Sequence, residues 1–562
     1  MANLPATEHA GRPERRVREA LADAFVAEGL TTVFGLMGDG TKRWMLDMAA
    51  RGARVVQVRH EGAGCAMADG AARATGQPVL CAVTYGPGVS QLSTALLVAA
   101  KHRTPLVVFA ADVPTHQRDR KGQLDVSTRQ LLEAAQTEVH EVLPGQDPMG
   151  LVRRAVGRAR CHGRPVAVLA GPEVQELPAP PPTGLRRPPL DPPVALPHPE
   201  VVAQAAQRLT SASRPVLLAG AGAARAGAGH ALVALADRLG ARLATSFGAK
   251  GLFDPHPANL GLAGGFALPA TKEALARADL LLAVGASLNF HTTDQGQAFP
   301  RARVLLVDQR PDAALEATVP LDAFLLGDAR LVTEQLLAAL PDRPSPAGPW
   351  QSGVPVVDAS GDLRREALRR SPQALEPHRL DPRVLMLALD EVLPEDALVV
   401  VGGGHHMGFA AQYLTNRSGR RQFLMAFDFM TTGQAVPTAI GVALARPERP
   451  VVAIEGDASF LMHVQELETA ARIGARLLVV VIDDQALGAE VHALEAEGLD
   501  PTLALVPTPD LARLAEALGG RGRRIDDLTQ VASLPGWFDP THSPPVPHVV
   551  DCLVSRRVVG PG

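Results

Sequence analysis

The chain predicts an α/β protein made of three doubly wound parallel-sheet domains in series. Three observations lead there. Apolar runs of strand length alternate with helix-length segments, several runs end in Gly or Asp, and two proline-rich stretches divide the chain. The runs are apolar throughout rather than alternating, which fits strands buried on both faces of a parallel sheet.

Taken in order, residues 1–176 form a first domain, in which VVQV leads into His60-Glu61-Gly62 and a later polar loop reads PTHQRDRKGQLD. The stretch LPAPPPTGLRRPPLDPPVALPHP, 177–199, cannot form helix or central strand and reads as an extended linker. A central domain, 200–340, alternates RPVLLAGAG, helix, RLATS, helix, ADLLLAVGAS and ARVLLVD. A second linker, 341–380, includes PDRPSPAGPW, and the last domain runs over 381–562.

Composition narrows the class. At 562 residues the chain exceeds a single core, and 46% apolar with 20% charged residues describes a soluble globular protein. A net charge of -4, with only short Arg clusters near residues 15, 153 and 522 that read as solvated faces, argues against a nucleic-acid partner. Cys65, Cys81, Cys161 and Cys552 lack metal-ligand spacing and are expected as buried thiols in a reducing cytoplasm. No apolar run reaches membrane-spanning length and the N-terminus lacks a signal-peptide core, so the expectation is a cytoplasmic protein with no membrane partner.

The most informative segment is VVAIEGDASFLMHVQELETAARIGARLLVVVIDDQALGAE, Val451 to Glu490. VVAI and LLVVVI read as buried parallel strands, and the segment between them reads as one crossover helix starting at Ser459. Asp457 and Asp484 then emerge together at the carboxyl edge of the sheet, where open α/β sheets bind ligands. Magnesium favours hard oxygen ligands and pairs one or two carboxylates with phosphates, which suits Asp457, Asp484 and the backbone carbonyl of Ala486. The helix start offers N–H groups to a phosphate. Either Asp alone serves equally well as a helix N-cap.

With these residues the chain resembles the thiamine diphosphate enzymes, whose signature Gly-Asp-Gly and, one helix and strand later, Asn-Asn appears here as Gly456-Asp457-Ala458 and Asp483-Asp484. Residues 55–112, from VVQVRHEGAG to LVVFAAD, resemble the pyrimidine-binding domain of the acetolactate synthase, pyruvate oxidase and benzoylformate decarboxylase group. The resemblance covers nearly the whole chain and implies pyrimidine-binding, central and diphosphate-binding domains in that order. It implies thiamine diphosphate and Mg2+ as cofactors, a small-molecule 2-oxo acid as substrate, and decarboxylation with acyl transfer to a second carbonyl. It also implies a homodimer or homotetramer, in which Glu61 of one chain faces Asp457 of another.

By the same resemblance Glu61 contacts the cofactor's aminopyrimidine, where a carboxyl group is needed to shift the ring to the tautomer that acts as base. Its alternative is a surface glutamate opening a helix. Pro87, Gly403, Gly404, His405, Met430, Thr432, Gly456, Asp457, Ala458, Ser459 and Asp484 are the other implied cofactor contacts. The Gly402-Gly403-Gly404 run lets backbone approach a diphosphate, and His405 or His406 could reach it or simply pack. Glu490 and His116 are the further catalytic candidates, with Gln123 in the same loop as His116; Glu490 fits a solvated helix equally well.

Three departures stand out. Thr432 replaces the bulky aliphatic residue that wedges under the cofactor in relatives, Asp483 adds charge beside a diphosphate, and Ala458 would cost about 1 kcal/mol if its φ were positive. In the central domain Gly220-Ala221-Gly222 suggests a nucleotide loop, but Arg225 stands where a third glycine belongs, so a tight turn is favoured and a flavin is not. Other readings are a simple 2-oxo acid decarboxylase or carboligase of specialised metabolism, a catalytically degenerate member with a structural or regulatory role, and a nucleotide-binding protein without thiamine.

Overall fold

The computed structural model describes residues 14–118, 120, 122–181, 194–341, 350, 362–538 and 545–560. The chain separates into two compact units, 1–192 and 193–562. Residues 182–193 of the first expected linker and 342–349 and 351–361 of the second lie outside the described residues. The second expected linker is not wholly extended: DLRREALRR forms a helix over Asp362–Arg370.

The first unit holds six parallel strands, β1 (Thr32–Gly35), β2 (Arg54–Gln57), β3 (Val79–Val83), β4 (Leu106–Ala111), β5 (Glu138–Glu141) and β6 (Val166–Ala170). Their order is β2-β1-β3-β4-β6-β5. The central strand β4 is buried at every residue, as its run LVVFAA requires. Against the sheet packs a ring cluster in which Trp44 stacks on Phe109 at 4.0 Å and Phe25 meets both edge-on.

The second unit carries two further sheets. One comprises β7 (Pro215–Ala219), β8 (Arg242–Thr245), β9 (Asn259–Leu262), β10 (Leu280–Val284), β11 (Arg303–Asp308) and β12 (Ala323–Leu326), in the order β12-β11-β10-β7-β8-β9. The other comprises β13 (Leu398–Val401), β14 (Gln422–Met425), β15 (Val451–Gly456), β16 (Leu478–Asp483), β17 (Arg521–Ile525) and β18 (His548–Leu553), in the order β14-β13-β15-β16-β18-β17. Both are parallel throughout, giving the expected three-sheet α/β architecture. Between these two sheets Phe247 stacks on Phe427 at 4.1 Å, with Phe266 edge-on to both.

In each sheet the chain lays strands outward from a central one, then returns to build the other side. The loops that diverge at this reversal open a crevice at the carboxyl edge. In the third sheet the crevice lies between β13 and β15, which places the glycine run 402–404 beside Gly456 and Asp457. The expected single crossover helix is two short ones, Asp457–Met462 and Glu466–Ile473, and the first helical residue is Asp457 rather than Ser459. Among the described residues no helix is long and apolar enough to cross a membrane. Cys65, Cys81 and Cys552 are buried as expected; Cys161 is exposed on the helix Pro148–His162, because it falls outside that helix's apolar stripe.

Candidate active site

In the first unit His60 caps the helix Glu61–Thr75, its Nδ1 accepting the Gly62 N–H at 3.0 Å. Glu61 is therefore the first helical residue and is half-buried. Its Oε1 lies 3.5 Å from where a Cβ on Gly88 would stand, so the carboxylate is turned toward the loop that follows β3. Pro87, exposed, opens the short helix Pro87–Ser90 in that same loop. His116 is exposed in a 3-10 turn, its Nε2 3.3 Å from Gln117 Nε2, and Gln123 is exposed further along the loop.

In the last sheet the glycine run interlocks with the segment after β14. Gly403 N–H donates to Thr431 O at 3.2 Å, and a Cβ on Gly403 would lie 2.5 Å from that oxygen, so this approach admits only glycine. Met430 takes φ +50°, a conformation that is costly for a non-glycine residue and tends to persist at functional sites. Thr432 is exposed with its hydroxyl 3.5 Å from Met462 Sδ. Ala458 is an ordinary helical residue, so the cost expected for a positive φ does not arise.

Asp457 is buried at the end of β15, and its Oδ2 accepts the Gln485 N–H at 3.0 Å. Asp484 Oδ1 accepts the Ala486 N–H at 3.0 Å, and between them Gln485 turns the chain at φ +57°. Burial, then the neighbouring Asp484, pushes the Asp457 carboxyl up to about 7; burial, then Asp483, does the same to Asp484. Asp483 lies in hydrogen-bonding contact with both Asp457 and Asp551, and its oxygens also take the Thr508 hydroxyl at 3.1 and 3.3 Å. Burial and Asp457 raise it to about 6, while burial and Asp483 raise Asp551 to about 7.

Sequence reasoning missed the groups behind this cluster. Arg524 holds Asp551 Oδ2 at 3.0 Å, and Arg379 reaches Gln485 Oε1 at 2.8 Å. The Arg cluster near residue 522 is thus not only a solvated face: it is edge strand β17, and one of its guanidiniums pairs with a buried carboxylate. The Arg clusters near 15 and 153 also make ion pairs, Arg18 with Asp47 and Arg153 with Glu28. An ionisable residue inside a fully apolar run, as in HVVDCL, is the signal that would have found Asp551.

His405 is half-buried and held down to about 4 by burial and then by His492, 4.9 Å away between ring centres. Its Nε2 accepts the Gly560 N–H at 2.8 Å. Its other edge faces the loop after β16, since a Cβ on Gly488 would lie 2.8 Å from His405 Nδ1 and 2.6 Å from Asp484 Oδ2. His406 is buried, its Nε2 without a hydrogen-bond partner, and burial holds it down to about 3. Glu490, in the first turn of the helix Gly488–Ala496, is exposed.

The donor set fits a hard divalent cation carrying a phosphate group. The carboxylates of buried Asp457 and half-buried Asp484 repel each other at the sheet edge, beside a glycine loop and a helix N-terminus, and hard oxygen donors of this kind suit such a cation. Among the described residues no group of three or more His, Cys, Asp or Glu side chains is arranged to hold a metal alone, so the remaining ligands would come from backbone and phosphate oxygens. In the central sheet, Gly220 and Gly222 pack against Gly285, where added Cβ atoms would lie 2.2 Å from its carbonyl oxygen and 2.8 Å from its Cα. Those glycines are thus accounted for by a close strand-to-helix turn.

Three parallel six-stranded sheets in series define an α/β enzyme class, and the last sheet carries the Asp457 and Asp484 pair at its carboxyl edge. Comparison with known proteins agrees: residues 15–137 match the thiamine pyrophosphate enzyme N-terminal TPP binding domain, 202–336 its central domain and 402–535 its C-terminal TPP binding domain. The chain is 31% identical over 525 residues to the probable 2-ketoarginine decarboxylase of Pseudomonas aeruginosa, covering 91% of this chain and 90% of that one. It is 31% identical over 522 residues to the acetolactate synthase of Mycobacterium leprae, covering 89% and 81%. It is 30% identical over 540 residues to the acetolactate synthase large subunit of Parasynechococcus marenigrum, covering 90% and 83%. This chain belongs to the thiamine pyrophosphate enzyme family.

Proposed function

We propose that the protein uses thiamine diphosphate and Mg2+ to decarboxylate a 2-oxo acid and transfer the acyl unit to a second carbonyl. The observation that carries this reading is the pair Asp457 and Asp484, joined through Gln485 beside the glycine loop. Asp457, Asp484 and the Ala486 carbonyl would hold the metal. Gly403, Gly404, His405, Gly456, Ala458 and Ser459 would hold the diphosphate, and Pro87, Met430 and Thr432 would line the rest of the cofactor. When bound, the cofactor supplies the electron sink for carbon–carbon cleavage.

Glu61 would hold the proton shared with the aminopyrimidine, and Glu490 and His116 would serve protons and carboxylate at the substrate end. Residues 1–176 would then bind the pyrimidine and 381–562 the diphosphate, with the central domain, 200–340, holding no flavin. The close turn at Gly220 and Gly222 supports that last point. A homodimer or homotetramer in the cytoplasm completes the reading.

A simple decarboxylase is the second reading, favoured by the likeness to the probable 2-ketoarginine decarboxylase. Incubation with single 2-oxo acids, pyruvate and 2-ketoarginine among them, separates the two. Release of carbon dioxide with the aldehyde as sole product supports the decarboxylase, whereas a condensed product supports the carboligase. No release from any 2-oxo acid, with no stabilisation by thiamine diphosphate, removes both.

A further inference from the structure

Glu455 lies in β15, two residues before Asp457, and is fully buried at 0% exposure. A carboxyl group in that position needs hydrogen-bond donors. Its Oε1 accepts the Ala435 N–H at 3.2 Å and its Oε2 the Val436 N–H at 3.2 Å, while the Gly433 N–H also faces it. The Ala435 and Val436 N–H groups open the helix Ala435–Ala445, whose own N-cap residue, Gln434, makes no side-chain cap bond. A residue of β15 thus caps a helix from another part of the sheet.

The same carboxylate reaches the glycine loop, since a Cβ on Gly402 would lie 3.1 Å from Oε1. Glu455 therefore stands where three segments meet: the glycine loop, the turn over 430–433, and Gly456-Asp457. That turn is irregular backbone with positive φ at Met430 and Gly433. It is held from one side by Gly403 N–H on Thr431 O, and at Gly433 by His463 Nδ1, 2.6 Å from its carbonyl. Glu455 anchors its far end.

We propose that Glu455 is a positioning residue of the cofactor site, fixing the 430–436 segment, and with it Met430 and Thr432, against the glycine loop. This rests on the thiamine diphosphate reading above. Glu455→Gln keeps the shape but turns an amide NH2 toward a backbone N–H, setting donor against donor. Glu455→Asp keeps the carboxyl group and shortens the reach.

The test uses the full-length chain and two readouts. Amide hydrogen exchange is followed over 431–436 without cofactor, and thiamine diphosphate binding with Mg2+ is titrated calorimetrically. Leaving a buried backbone N–H without its acceptor predicts that Glu455→Gln speeds exchange in that segment and weakens cofactor binding, each about tenfold or more. Glu455→Asp should recover part of both, and Glu448→Gln, an exposed control, neither. If Glu455→Gln does not fold, Glu455→Asp carries the test through the same two shifts.

A lowered melting temperature with wild-type cofactor affinity and unchanged exchange overturns the proposal. Failure of the wild type itself to bind thiamine diphosphate would instead refute the functional reading. The exchange data would then judge the anchoring role alone.

Discussion

The Gln485 N–H donates to Asp457 Oδ2 at 3.0 Å, joining the end of β15 to the loop after β16 across the sheet edge. That bond fixes the spacing of the carboxylates at Asp457 and Asp484 before any cation arrives. Without a cation, buried Asp457 and half-buried Asp484 repel, so Asp457→Asn should leave the cofactor-free protein as stable as wild type or more so. With Mg2+ and thiamine diphosphate at a hundred times its Kd, wild type should gain about 2.7 kcal/mol, and Asp457→Asn should gain far less. Thermal melts with and without chelator read both; equal ligand stabilisation in the two proteins would sink the metal-site reading.

Glu61 opens its helix half-buried, with its carboxylate facing the loop at Gly88. If it works by holding a proton on the cofactor, Glu61→Gln should lower kcat by about 10²- to 10⁴-fold. Melting temperature should stay near that of wild type, since no packing is lost. An active Glu61→Gln enzyme would return this residue to a surface glutamate at a helix start.

Much of this was legible in the sequence, for a physical reason. Strands buried on both faces are largely apolar, so β7 and β10, and the runs VVAI and LVVVI that open β15 and β16, stand out. Edge strands escape that rule. Strand β5, EVHE, is only half-buried along its length, β17 is RGRRI, and β9 begins at Asn259; none looks like the interior of a parallel sheet. Asp457 and Asp484 were visible because each follows such a run. Glu455, Asp551 and Arg379 were not, because their partners come from segments far away in the chain. The split of the crossover into two helices, breaking at His463, likewise has no Gly or Pro to announce it.

Lys250 joins the two sheets of the second unit. Its amine donates to Leu414 O at 2.8 Å and lies 4.8 Å from the centre of the Phe423 ring. Burial holds it down to about 8 from an ordinary 10.5. Below pH 8 the folded and unfolded chains are both protonated there, and the folded state bears the full desolvation penalty. Between pH 8 and 10.5 the unfolded chain holds more protons, so folding gains as pH rises, by at most about 3 kcal/mol. Against Lys250→Met, wild type should therefore gain relative stability from pH 7 to 10; a difference independent of pH would show that the amine titrates normally.

Phe247 and Phe427 stack at 4.1 Å with an angle of 5° between their planes, and both are nearly fully buried. Phe247 follows β8 and Phe427 follows β14, so the pair ties the central sheet to the sheet that carries the aspartates. Truncating a buried phenylalanine creates a cavity, and Phe247→Ala should destabilise the second unit by about 3–5 kcal/mol. Beyond burial, a stacked pair contributes about 0.5–1.5 kcal/mol, which a double-mutant cycle with Phe427→Ala isolates. Because Phe427 lies just before Met430, loosening the stack should also weaken thiamine diphosphate binding in Phe247→Leu, a milder variant that keeps the fold. Unchanged cofactor affinity in Phe247→Leu, together with a lowered melting temperature, would confine this contact to stability alone.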